Sequence, residues 1–172
     1  MNSILRIASQ PYWHQLTSKK DKNRKIGYVM DTNYQEYNIR LSIDSRLEQV
    51  RVLSGALRGI GQELQLTDDK LGQLELIMVE AVNNVIEHAY QLESGNEVHV
   101  RVEYSPQEVH LIISDHGQAM PDQLHTEVRV MPNPEDLPEG GWGMGLIHLL
   151  ADSIRYIRDA RGNHLHVSKH LV

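Results

Sequence analysis

Residues 74–90 read LELIMVEAVNNVIEHAY, and the spacing within this stretch decides how the rest of the chain is arranged. Leu74, Met78, Ala81, Val85 and Ala89 recur at three- and four-residue steps, which predicts a helix burying one apolar stripe. At 100° per residue, Glu80, Asn84 and Glu87 fall together on another face, with Asn83 at its edge. Polar groups beside a buried stripe need partners, and a bound ligand or ion is one way to supply them. A capped, partly exposed amphipathic helix is the plainer reading of this segment taken alone.

Upstream, Tyr37, Ile39, Leu41 and Ile43 alternate with polar residues, the period of a strand with one buried face. Ser45 and Glu48 have the spacing of a capping box. Leu47, Val50, Leu53, Leu57, Ile60 and Leu64 then predict a second amphipathic helix, in which Gly55, Gly59 and Gly61 lower the intrinsic propensity. Thr67 or Asp68 is placed to cap the helix that runs to about Tyr90.

Downstream, Val98, Val100 and Val102 alternate in one strand and Val109, Leu111 and Ile113 in the next, joined through Ser105-Pro106-Gln107. Ser114-Asp115-His116-Gly117 closes that strand, and periodicity then stops. Pro121, Pro132, Pro134, Pro138, Gly140 and Gly141 punctuate a connection of the kind that forms lids and binding loops. Gly141, Gly143 and Gly145 lead into Leu146, Ile147, Leu149 and Leu150, a permissive turn entering an apolar helix. Ile154 and Tyr156, then Leu165 and Val167, predict two final strands around the turn at Asp159–Asn163. The order of elements builds an α/β domain with a mixed, mostly antiparallel sheet covered by helices on one face.

Composition narrows the chemistry. The 172 residues contain no cysteine, so disulfides and thiol catalysis are excluded. His164 and His166 share one face of a strand, with no third metal ligand placed beside them. Residues 1–36 carry six Lys/Arg against three Asp/Glu, and residues 37–172 carry eleven against twenty. The first segment is therefore read as a basic extension, with Lys19, Lys20, Lys22, Arg24 and Lys25 clustered. Ile4, Ile7, Tyr12, Trp13 and Leu16 suggest a short helical arm within it, and Ile26–Met30 a brief strand. The acidic body argues against a broad nucleic-acid surface. Without a long apolar run or a signal-like leader, the expectation is a cytoplasmic protein that does not enter membranes.

The sequence has no Gly-Lys-Ser/Thr phosphate loop and no Rossmann fingerprint. It offers a different constellation, and each part suits ATP with magnesium. Asn84 presents a neutral oxygen to a hard cation. Asp115 can accept a hydrogen bond from the adenine amino group, and Gly117 lets backbone approach the base. The amides of residues 140–145 and the following helix terminus suit phosphate oxygens. Glu80, one turn before Asn84, is placed to take a proton from an attacking hydroxyl or water.

The segments EAVNNVIEHAY (80–90), SDHGQAM (114–120) and DLPEGGWGMGLIHLLAD (136–152) resemble the successive nucleotide-binding motifs of the GHKL, or Bergerat-fold, ATPases. The resemblance is greatest to the small anti-sigma-factor serine/threonine kinases of bacterial partner switching, and it covers roughly residues 38–168. It implies a two-layer α/β sandwich in residues 37–172, with an ATP lid at about 118–142. By the same resemblance Glu80 matches the general base, Asn84 the magnesium-binding asparagine and Asp115 the adenine-binding aspartate. Gly117, Gly141, Gly143 and Gly145 match nucleotide-binding glycine positions. Met144, next to them, packs against nucleotide or fills the lid hinge, as does Trp142. His88 and Tyr90 match the end of the first motif, where a structural role is expected.

The implied substrate is a serine or threonine on a small STAS-domain antagonist. The implied target is a sigma factor or another regulatory protein, and the implied assembly a homodimer. Added phosphate would weaken the antagonist's interface by bringing about two negative charges against an acidic body. A noncatalytic regulator that uses ATP only to order a partner surface is the alternative on the same fold. The sequence departs from an ordinary triphosphate site in one respect: no lysine occurs from Asp115 to Asp152, leaving amides, magnesium and Arg129 to meet the phosphate charge.

Overall fold

The apolar alternation of the strands becomes a set of continuous rows across one sheet. The computed structural model describes residues 6–7, 36–120 and 142–172. Its strands are β1 (Arg6–Ile7), β2 (Tyr37–Asp44), β3 (Glu97–Tyr104), β4 (Glu108–Asp115), β5 (Ser153–Asp159) and β6 (Gly162–His170). They lie in the order β1-β2-β3-β4-β6-β5, and every pairing is antiparallel. Register places Ile39, Val102, Leu111, Val167 and Ile154 in one row and Leu41, Val100, Ile113, Leu165 and Tyr156 in the next. Cross-strand neighbours of this kind are the unit from which a half-buried sheet gains stability.

Helices α1 (Leu47–Glu63), α2 (Asp68–Asn84) and α3 (Trp142–Leu150) cover that face, and their buried residues join the same core. From α2, Leu74, Ile77, Met78, Ala81 and Val82 are buried, with Ile77 and Met78 at 0% exposure. Each fully buried aliphatic side chain of this size contributes about 1.5–3 kcal/mol. On the opposite sheet face, which no helix covers among the described residues, Arg40, Arg101, Ile112, His166 and Arg155 follow one another. His164 lies on that same face. The expected α/β layering, with helices on one face, is therefore present.

Local details differ from the reading of the sequence in three places. Ser45 does not cap α1. Its hydroxyl donates to the Glu93 carbonyl at 2.6 Å and accepts from the Asn96 N–H at 3.2 Å, while the cap position, Arg46, makes no side-chain capping bond. Leu47, assigned to the buried stripe, is 43% exposed because the helix enters the core one turn later, at Val50. Ile7, expected in a helical arm, pairs with Ile39 in β1 instead. A strand edge offers backbone hydrogen bonds that a short isolated helix lacks.

Other expectations hold. The Thr67 hydroxyl caps α2 by accepting from the Lys70 N–H at 3.3 Å. Gly61 is buried where a Cβ would stand 2.5 Å from Leu71 Cδ1, so a larger residue there would push the Leu71 side chain aside as α1 packs on α2. The basic cluster at 19–25, the strand expected at Ile26–Met30, most of the lid, and Gly141 and Arg129 within the lid lie outside the described residues.

Candidate nucleotide site

Glu80 and Asn84 are four residues apart near the C-terminal end of α2, so one helical turn puts both on the same side. The helix then changes its hydrogen-bond step. Residues Val85–Ala89 form a π-helical turn, closed by the Tyr90 N–H donating to the Val85 carbonyl at 3.0 Å. Such turns are uncommon and frequently occur at functional sites. Asn84, Val85, Glu87, His88 and Ala89 all line one cavity here.

The end of this turn is fastened to the loop after β4. The Ala89 carbonyl accepts from the Gln118 N–H at 2.9 Å. A Cβ on Gly117 would stand only 2.5 Å from that carbonyl oxygen, so the residue must be glycine for this approach. The Tyr90 hydroxyl accepts from the His116 N–H at 2.9 Å and donates to the Glu97 carbonyl at 3.0 Å. Burial raises the Tyr90 phenol above its usual 10.0; the His116 bond opposes this, and the Asp115 and Glu97 carboxylates add to it. Tyr90 is thus a structural clasp between the first and second motifs.

Asp115 ends β4 on the helix-covered face and is 5% exposed. Its Oδ1 accepts from the Gly117 N–H and from Asn163 Nδ2, both at 2.8 Å. Asn163, from β6, is in register with Asp115 and is 2% exposed. No sequence motif singles Asn163 out as a site residue. A signal was present, since Asn163 shares the two-residue period of Leu165 and Val167 and so falls on their apolar face.

The third motif arrives from α3. Gly143 is buried against α2: a Cβ there would stand 2.8 Å from Glu80 Oε2, 3.1 Å from Asn84 Oδ1 and 3.2 Å from Asn84 Nδ2. Met144 lines the cavity. Gly145 is exposed, and a Cβ would meet no atom within 4 Å. A Cβ at 143 would thus displace the ends of the Glu80 and Asn84 side chains, whereas one at 145 would displace nothing.

The cavity measures about 480 Å³, and Asn84, Asp115 and Met144 line it together. Ala81, Val85, Ile113, Leu165 and Met120 form apolar walls, while Glu87, His88, Gln91 and Gln118 add polar ones. Tyr156 also lines it and accepts from the Met120 N–H at 3.0 Å, holding the point where the chain leaves toward residue 121. No lysine or arginine lines the cavity among the described residues. An apolar slot with a few convergent polar groups matches the chemistry of a purine and its polar edge.

The donor set also suits a hard cation. The buried Asn84 Nδ2 lacks a hydrogen-bond partner among the described residues. An unpartnered buried amide is costly unless a ligand completes it, and its Oδ1 is an oxygen donor of the kind magnesium takes alongside phosphate oxygens and water. Among the described residues no helix is long and apolar enough to cross a membrane.

Known proteins resemble this chain in sequence and in fold. The family described as the histidine kinase-like ATPase domain matches residues 43–169. The serine-protein kinase RsbW of Bacillus subtilis (strain 168) is 26% identical over 121 residues, covering 68% of this chain and 76% of the relative. The serine-protein kinase RsbW of Halalkalibacterium halodurans is 26% identical over 131 residues, covering 74% and 80%. A crystal structure of RsbU and RsbW domains from Mycobacterium tuberculosis aligns with a TM-score of 0.55 at 19% identity, a likeness of fold. The alignment covers 77% of this chain but 32% of that longer one. With residues of all three motifs lining one cavity and the family matched across most of the length, the chain belongs to the histidine kinase-like ATPase domain family, within the GHKL superfamily that those motifs resemble.

Proposed function

We propose that the protein is an ATP-dependent serine/threonine-protein kinase that also acts as a binding switch. The observation that carries this reading is the convergence of Glu80 and Asn84 beneath Gly143, with Asn84 and Asp115 lining one cavity. In this reading Asp115 takes the adenine amino group, Gly117 admits the base, and Met144 packs against it. The amides at Gly141, Gly143 and Gly145 face the phosphates, and Asn84 holds magnesium. When bound, the magnesium ion neutralises triphosphate charge and orients its oxygens, a need made greater by the lack of a basic wall residue among those described.

The Glu80 carboxylate accepts the proton of the attacking Ser/Thr hydroxyl. That oxygen bonds to the γ-phosphorus as the bridging P–O bond breaks, and ADP departs with the bond's electrons. The substrate in this reading is a Ser/Thr of a STAS-domain antagonist. Its release by phosphorylation leaves the kinase, as a homodimer, free to sequester a sigma factor or another regulatory target. The names of the RsbW relatives support the serine-kinase activity.

Glu80→Gln tests the assignment. It should bind ATP within about twofold of wild type, because the carboxamide keeps the shape, yet lose transfer of labelled phosphate to a STAS partner by two or more orders of magnitude. Undiminished transfer would remove Glu80 from the mechanism. Tight ATP binding by the wild type with no phosphate on any cognate STAS protein would favour a noncatalytic, ATP-gated regulator.

A further inference from the structure

We infer that Asn163 is a specificity-determining positioning residue: it holds the Asp115 carboxylate in the one orientation that reads the 6-amino group of a purine. This rests on the reading of the cavity as an ATP site. The two residues are 48 positions apart and meet only because β4 and β6 pair in register. Asn163 Nδ2 donates to Asp115 Oδ1 at 2.8 Å and to the Gly117 carbonyl at 3.1 Å. Both acceptors are oxygens, so turning the amide over would set oxygen against oxygen twice. The orientation of the Asn163 amide is therefore fixed by its own neighbours.

The consequence lies in how Asp115 is divided. Oδ1 has two protein donors, the Asn163 amide and the Gly117 N–H. Both side-chain hydrogen bonds of Asp115 to described residues go to Oδ1, leaving Oδ2 without one, and Asp115 lines the cavity. One oxygen is thus reserved for the fold and the other for the ligand. Without Asn163 the carboxylate keeps a single tether, can rotate, and no longer presents an acceptor at a set point. Asn163 also carries its own cost, because its Oδ1 is buried with no hydrogen-bond partner among the described residues. A buried acceptor left unpaired is destabilising, which fits a residue kept for orientation rather than for stability.

The experiment compares two nucleotides that differ only at the 6-position, ATP and purine riboside triphosphate, binding to the full-length protein by calorimetry. The wild type should prefer ATP at least tenfold. Asn163→Ala should weaken ATP about tenfold and leave the 6-unsubstituted analogue within twofold, and Asn163→Val, which fills more of the space, should do the same. An unchanged preference in either folded variant, or an equal loss for both nucleotides, would overturn the positioning role while leaving the ATP site intact. A wild type with no preference would instead overturn the reading of Asp115 itself, and this inference with it. Should neither variant fold, the wild-type protein still decides the matter: the Asn163 side-chain amide protons should exchange slowly with solvent, and fast exchange would refute the two bonds.

Discussion

Gly143→Ala separates the site's chemistry from the protein's stability. The added Cβ would stand 2.8 Å from Glu80 Oε2, whereas ordinary contact begins at 3.4 Å. The carboxylate must therefore retreat by about 0.6 Å, the difference of those distances, and the Asn84 amide by a few tenths of an ångström. Both groups are side-chain ends, so the fold can yield. Gly143 lies in the first turn of α3, where replacing glycine by alanine adds up to about 1 kcal/mol of helix stability. For a chain of this size that gain corresponds to a Tm rise of up to about 2–4 °C.

Catalysis has no such tolerance, since a misplacement of about 1 Å can cost on the order of 100-fold. The variant should therefore transfer phosphate roughly 10- to 100-fold more slowly, with Tm at or slightly above wild type. Calorimetric melting and single-turnover transfer of labelled phosphate measure the two effects on the same preparation. Transfer at the wild-type rate would refute the reasoning, because it would mean that Glu80 and Asn84 act from positions other than those beneath Gly143.

Two further outcomes follow from the same geometry. Gly117→Ala drives a Cβ to 2.5 Å from the Ala89 carbonyl oxygen, a backbone atom that cannot swing aside; overpacking of this kind costs about 1–3 kcal/mol, so Tm should fall by roughly 2–12 °C, and an unchanged Tm would show that the loop after β4 is not held against the π-helical turn. His166 is kept below its ordinary 6.5 first by burial, then by His164, Arg101 and Arg155, with Glu103 opposing. The unfolded chain therefore binds a proton there before the folded chain does. The contribution of His166 to stability is present above pH 6.5 and declines as pH falls through 6.5 toward the lowered value. His166→Gln should flatten the fall in Tm over that window, and an identical pH profile would contradict it.

Much of the architecture is readable from local pattern, as at Ile39, Leu41 and Ile43, or at Val98, Val100 and Val102. Periods of two and 3.6 arise from backbone geometry within one element, so a linear sequence records them directly. The grouping of Glu80 and Asn84 is equally local, being one turn of α2. The Ser45–Glu48 spacing misleads because a more distant partner wins: the Ser45 hydroxyl bonds the Glu93 carbonyl, 48 residues away. Local propensity could not anticipate that competition.

Residues 74–90 by themselves determined that a helix would carry a carboxylate and an amide on one side, and the three separated motifs determined which family of folds to expect. Tertiary structure alone decided that Gly143 would press on both of those groups and that the Asn163 amide would take one oxygen of Asp115. The reason is physical. Which side chain lies opposite which depends on strand register and on how closely helices approach, and those are settled by packing the whole core at once rather than by any neighbour along the chain.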